Sequence, residues 1–191
     1  TNLYKQLEKE TGQATGFHDC GSLRLAYKQE DIEWFRYIKG ILDNVGAPAE
    51  IISPNEIPKI HPFINLDGII GAFYTPEDGH TDPTSTTNAM AKGARNGGAK
   101  IYRKNRVTDI ALLPSGEWKV ITENGDIVCE HVVNAAGSFC PEVGEMVGLK
   151  NIPSINMIHH YLVTDEHPEI KKLTKELPVT RDPMASAYLR Q

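Results

Sequence analysis

The chain has 191 residues, 40% of them hydrophobic and 24% charged, an ordinary globular balance that excludes wholesale disorder. Its net charge of −5 and the lack of a basic patch argue against nucleic acid as a partner, and no apolar run approaches the ~18 residues of a membrane span. Cys20, Cys129 and Cys140 form no CxxC pair and read as reduced intracellular thiols, not as a disulfide framework or a zinc site.

In chain order, residues 2–11 set Leu3 and Leu7 among charges, the pattern of a short amphipathic helix ending near Gly12. "GSLRLAY" (21–27) alternates apolar and polar residues and reads as a strand. Ile32, Phe35, Ile38, Leu42 and Val45 recur at helical spacing, with Gly46 as a C-terminal stop. A brief strand is expected at Glu50–Ile52. In "SPNE" (53–56), Ser53 can cap a helix, Pro54 suits its first position and Glu56 completes a capping box. "GIIGAFYT" (68–75) reads as a further strand. A helix capped by Asp82 follows, with Pro83 at its first position and Gly97 or Gly98 past its end.

The remainder is mainly β. "AKIY" (99–102) and "NRVTDIALL" (105–113) are strand candidates, and "EWKVIT", the "ENGD" turn and "IVCE" form a hairpin. "HVVNAAGSFC" (131–140) reads as a buried strand running into a short helix from Pro141. "INMIHHYLVT" (155–164) and the terminal "AYLRQ" also have strand character. Helices and strands mixed in this way predict an α/β chain. The first residue is Thr1, no signal-peptide pattern is present, and the chain ends without a turn or cap; a piece of a longer protein is expected.

Four features bear on chemistry. Asn134, Ala135, Ala136 and Gly137 let a backbone or ligand approach closely, as at the strand ends where α/β folds bind ligands. They equally suit tight packing of a strand on a helix. In "INMIHHYLVT", period-two alternation puts His159 and Tyr161 on one face and His160 on the other, where His160 reads as a core or edge residue. His80 lies in the "EDGHTDP" turn beside a helix start, where histidines are functional or merely solvated. Arg190 can grip a carboxylate, whereas Arg181 beside Asp182 suits a surface pair. There is no GxGxxG, HExxH or GxSxG, and no spacing predicts a metal site.

"GHTDPTSTTNAMAKGARNGGAKI", "RVTDI", "VVNAAGSFCPEVGEMVGL", "HHYLVTD" and "LPVTRDPMASAYLRQ" follow one another here. In that order they resemble FAD-dependent oxidoreductases of the D-amino-acid oxidase superfamily, most of all the dimethylglycine and sarcosine dehydrogenases. The resemblance implies part of a Rossmann-like FAD-binding domain interleaved with an antiparallel-sheet substrate domain. About 20–81 and 153–191 would form the substrate-side sheet, and about 82–152 part of the FAD-binding half.

It also implies roles for residues. The position of Val107 contacts adenine through its backbone. Ala135, Ala136, Gly137, Phe139 and Val143 line the dinucleotide, and Phe139 keeps an aromatic position of the family. The family's His-Gln-Tyr strand crosses the substrate side of the flavin. Here His160 replaces its glutamine, and alternation leaves His159 and Tyr161 in register. His159, Tyr161, His80 and Arg190 are the substrate-side candidates.

The implied reaction is oxidation of a small N-methylated glycine-type amine, its iminium product either hydrolysed or passing its carbon to tetrahydrofolate bound by a further C-terminal region. The family's GxGxxG turn and flavin-linking histidine lie upstream of the matching stretch, so a central fragment, inactive by itself, is expected. A hydroxy-acid or glycerol-phosphate flavoprotein, or a flavin-free binding module, stays open. The setting would be cytoplasmic in a bacterium or the mitochondrial matrix in a eukaryote. Nothing in the residues names an electron acceptor.

Overall fold

A computed structural model describes residues 2–191. It forms two compact units, one taking the chain up to Lys100 together with Glu166–Gln191, the other Ile101–Asp165. The chain is mixed α/β, and no helix among the described residues is long and apolar enough to cross a membrane.

The first unit is built on a sheet of β1 (Ser22–Ala26), β2 (Glu50–Ile52), β3 (Gly71–Thr75), β7 (Val179–Asp182) and β8 (Ala187–Leu189), in the order β2-β3-β1-β7-β8. Only β1 and β7 pair in parallel. The period of two sorts the side chains onto two faces. Leu25 opposes Ala72 and Ile52 opposes Ala72 across the ladders. These residues join Leu23, Ile57 and Ile69 in one apolar cluster. Ala26 and Phe73 belong to the opposite face and join Ile32 and Phe35 in a second cluster.

Helix α2 (Gln29–Asn44) covers that second face, its Phe35 ring 5.3 Å from the Phe73 ring. The expected stripe is thus buried at Ile32 and Phe35. Val45 is 72% exposed, because it sits at the C-cap, beyond the last turn that faces the sheet.

The start of α3 (Ile57–Ile60) differs from the expected start at Pro54. The Ser53 carbonyl accepts from the Glu56 N–H at 3.0 Å, which closes a turn, and Pro58 has no N–H to give to the Pro54 carbonyl, so the α-helical ladder cannot continue from there. Half of the capping box survives: Glu56 accepts hydrogen bonds from the backbone N–H and hydroxyl of Ser53 at 2.8 and 2.7 Å.

Helix α1 (Asn2–Thr11) packs against α4 (Pro83–Asn96). Gly93 lies at this contact, where a Cβ would stand a tight 3.3 Å from the Thr11 methyl. Asp82 caps α4 as expected, accepting from the Ser85 N–H at 2.6 Å. These hydrogen bonds hold its carboxyl below the usual carboxylate range, with Arg190 adding to the effect. Helix α6 (Pro168–Lys171) and β7 lie where no element was expected.

The second unit is an antiparallel meander of β4 (Val107–Leu112), β5 (Trp118–Thr122) and β6 (Gly125–Cys129). Thr122 pairs with Gly125, so Glu123 and Asn124 form the two-residue turn, and Gly125 takes a φ of 128°. A 3-10 turn over Gly137–Phe139 leads into α5 (Cys140–Glu145).

Three expected strands are absent among the described residues: 99–102, 132–133 and 155–164. Val133 is 87% exposed, and Ile155 is 90% exposed. Apolar and β-branched residues supply strand propensity, but a strand is held by ladder hydrogen bonds and cross-strand pairs. No ladder reaches these segments among the described residues.

Candidate functional site

In the first unit, four polar side chains from distant parts of the sequence meet: His18, His80, Glu176 and Arg190. The segment after α1 delivers His18. Gly12 ends the helix at φ 62°. The buried Thr15 then offers its carbonyl to the hydroxyls of Thr81 and Thr86 at 2.8 and 3.1 Å. This straps the segment to the start of α4. His18 and His80 next exchange backbone hydrogen bonds, N–H to O, of 2.8 and 3.2 Å, and their rings stack at 4.6 Å.

Gly79 is what allows this pairing, since a Cβ there would lie 1.8 Å from the His18 carbonyl oxygen. Asp78 steadies the same turn. It accepts from the Ser22 hydroxyl at 2.7 Å and the Gly79 N–H at 2.8 Å, and its carbonyl accepts from Gly21 N–H. Gly79→Ala is therefore expected to destabilise the fold by about 1–3 kcal/mol as an overpacked contact. Urea unfolding checks this, and an unchanged midpoint would show that the turn relaxes freely.

Glu176 enters from the segment before β7. One of its oxygens takes a hydrogen bond from His18 Nδ1 at 2.8 Å, the other from His80 Nε2 at 2.9 Å. Burial by itself would raise this carboxyl, yet the two imidazole hydrogen bonds outweigh it and hold it below the ordinary range. Arg190 follows β8, which the antiparallel β7–β8 pairing folds back along β7. Its guanidinium reaches His80 Nδ1 at 3.5 Å, the outer limit of a hydrogen bond. Cys20 lies nearby; burial pushes its thiol up, and the Glu176 charge adds to that against a backbone hydrogen bond at Val179.

Of the residues singled out by sequence, His80 and Arg190 are thus brought together. His18 and Glu176 were missed. They stand 158 positions apart, and no local spacing could have joined them. The only sequence signal is that His18 and His80 each lie in a loop next to a regular element.

The other candidates lie in the second unit. His159 and Tyr161 are exposed, Tyr161 to 85%, on a segment without regular structure. The alternation argument placing them on one strand face therefore has no strand to act on among the described residues. His160, expected as a core or edge residue, is exposed as well.

Val107 opens β4, half-buried. Ala135 is exposed and Ala136 half-buried. Gly137 has a φ of 57° with no atom within 4 Å of where a Cβ would stand. Phe139 is 69% exposed and Val143 half-buried. Asn134 holds this loop, donating to the Cys140 carbonyl at 2.9 Å and accepting from the Ala136 N–H at 3.2 Å. A braced loop of small side chains leaves its backbone open to close approach by a ligand.

Residues 1–191 match the family described as DAO, FAD dependent oxidoreductase. The chain is 43% identical to dimethylglycine dehydrogenase, mitochondrial, of Rattus norvegicus, over 99% of this chain and 22% of that protein. It is 34% identical to the mitochondrial pyruvate dehydrogenase phosphatase regulatory subunit of Mus musculus, over 98% of this chain and 21% of that protein. Among solved structures, L-proline dehydrogenase from P. horikoshii superposes with a TM-score of 0.70 at 30% identity, over 79% of this chain and 40% of that one. The chain thus spans about a fifth of the length of these two curated relatives.

Proposed function

This chain belongs to the family of FAD-dependent oxidoreductases, and from that premise we propose that the intact protein oxidises an N-methylated glycine-type amine, such as dimethylglycine or sarcosine. The observation that carries this reading is the 43% identity to a dimethylglycine dehydrogenase across nearly the whole chain. FAD, when bound, supplies the two-electron acceptor that amino-acid side chains lack. On this reading Val107, Ala135, Ala136, Gly137, Phe139 and Val143 hold the dinucleotide, the small residues by admitting it close to the backbone.

Tyr161 donates its hydroxyl to the substrate carboxylate, and His159 sets the charge around the amine. His80, bonded to Glu176, and Arg190, which reaches His80, stay with the cluster of the first unit. The 191 residues contain no GxGxxG turn, and by themselves they are proposed to hold FAD too weakly for turnover. The iminium carbon passes to water or to tetrahydrofolate. The setting is the mitochondrial matrix in a eukaryote, or the cytoplasm in a bacterium.

Flavin reduction in the intact protein, followed by stopped flow, tests the substrate class. Dimethylglycine and sarcosine are expected to bleach the flavin rapidly, and 2-hydroxy acids and glycerol phosphate are not. Reduction by a hydroxy acid alone would overturn the amine assignment. Mixing the 191-residue chain with FAD tests the second part; tight binding would refute it. The 34% identity to a phosphatase regulatory subunit favours one other reading, a regulatory module. That reading gains if no amine reduces the flavin of the intact protein.

A further inference from the structure

The His18–His80–Glu176 cluster has a composition that the amine-oxidation reading does not use. Two imidazoles and a carboxylate converge, with one ring nitrogen of each histidine and one carboxylate oxygen within 4.8 Å of one another. Imidazole and carboxylate are the ligands that Zn²⁺-class cations take, in tetrahedral sites with bonds of ~2.0–2.2 Å. Such bonds set ligand atoms about 3.3 Å apart. The approach from the present spacing is short, and the His18 side chain, 52% accessible, makes it by tilting out of its stack on the His80 ring.

The geometry points to a binding site for a divalent transition cation, with His18 Nδ1, His80 Nε2 and Glu176 as ligands and a solvent molecule in the fourth position. This goes beyond the proposed oxidation and does not depend on it.

The surroundings fit a cation. Glu176 already presents one carboxylate oxygen to each imidazole, at 2.8 and 2.9 Å. Asp78 and Asp82 flank His80 in the same turn, and Asp82 faces the charge of Arg190. Arg190 is the opposing feature. Its contact with His80 Nδ1 makes that atom an acceptor and leaves the ring proton on Nε2, where the cation would bind. At 3.5 Å this contact is weak, and the exposed Arg190 can leave it. Each imidazole then moves its proton to its outer nitrogen, so that Nδ1 of His18 and Nε2 of His80 turn their lone pairs inward. The two hydrogen bonds to Glu176 are exchanged for three metal bonds.

The three ligands come from the loop before β1, the loop before α4 and the segment before β7. A bound ion would pin these three pieces of chain together.

Titration of the 191-residue chain with ZnCl₂ in chelator-stripped buffer, followed by calorimetry, tests the site. One ion per chain is expected, with a rise in the thermal midpoint that EDTA reverses. Co²⁺ should give the intense visible absorption of a tetrahedral site. His18→Ala and Glu176→Gln should each weaken binding at least tenfold. His18→Cys, which keeps a ligand at the position, should retain it. His167→Ala, outside the cluster, should change nothing. Absence of binding to the wild type would overturn the proposal, as would binding that survives both His18→Ala and Glu176→Gln. Because His18 is half-exposed, the His18→Ala chain should keep its circular dichroism; if it does not, the His18→Cys and Glu176→Gln pair decides the matter.

Discussion

Tyr161→Phe in the intact protein is expected to lower kcat/KM for dimethylglycine about 10- to 150-fold while flavin content stays unchanged. The size follows from the interaction removed. A hydrogen bond to a charged group such as a substrate carboxylate is worth about 1.5–3 kcal/mol. Phenylalanine keeps the ring and removes only the donor. Tyr161 makes no hydrogen bond among the described residues and is 85% exposed, so its hydroxyl contributes nothing internal that the change would disturb. Steady-state kinetics give the loss, and the visible spectrum of the purified protein gives the flavin content. Unchanged turnover would remove Tyr161 from the substrate site. A loss of flavin alongside turnover would move its role to the cofactor.

Leu23→Ala is the other large effect. Leu23 is 1% exposed in β1, the strand between β3 and β7, and belongs to the cluster with Ile52, Ile57 and Ala72. Removing a buried leucine side chain costs about 2–5 kcal/mol, from lost transfer free energy and from the cavity left behind. The urea midpoint should fall with little change in the slope of the transition. Arg24→Ala, one residue along and on an exposed position, should stay within about 0.5 kcal/mol of the parent. Equal effects at the two positions would contradict the alternation on which the sheet's two faces rest.

Several elements were legible from local signals. The Asp82–Pro83 start of α4, the glycine stops after α1 and α2, and the Glu123–Asn124 turn of the hairpin are all decided within four residues. Their physics is local: a cap hydrogen bond, a left-handed glycine, a turn geometry. The same local reading failed for 132–133 and 155–164, where strand-forming residues meet no ladder among the described residues. It also failed for β7. "VTRD" carries no alternation strong enough to announce a strand, yet it pairs with β1 and buries Thr180 completely.

The family was legible too, from five segments in fixed order, and residues 1–191 match it. Ala135, Ala136 and Gly137 show how far such reading extends. Their smallness is a sequence fact, whereas the exposed loop and the Asn134 brace that present them are structural ones.

The sequence by itself determined α1 and α2 with their glycine stops, α4 with its Asp82 cap, the hairpin and the kinship to flavin oxidoreductases, because each rests on neighbours along the chain or on an ordered set of motifs. Only the tertiary structure decided that β7 lies beside β1 and that His18, His80, Glu176 and Arg190 share one place. Contacts across 96 and 158 positions are set by how the strands pair and which loops they bring together, not by any pattern of adjacent residues.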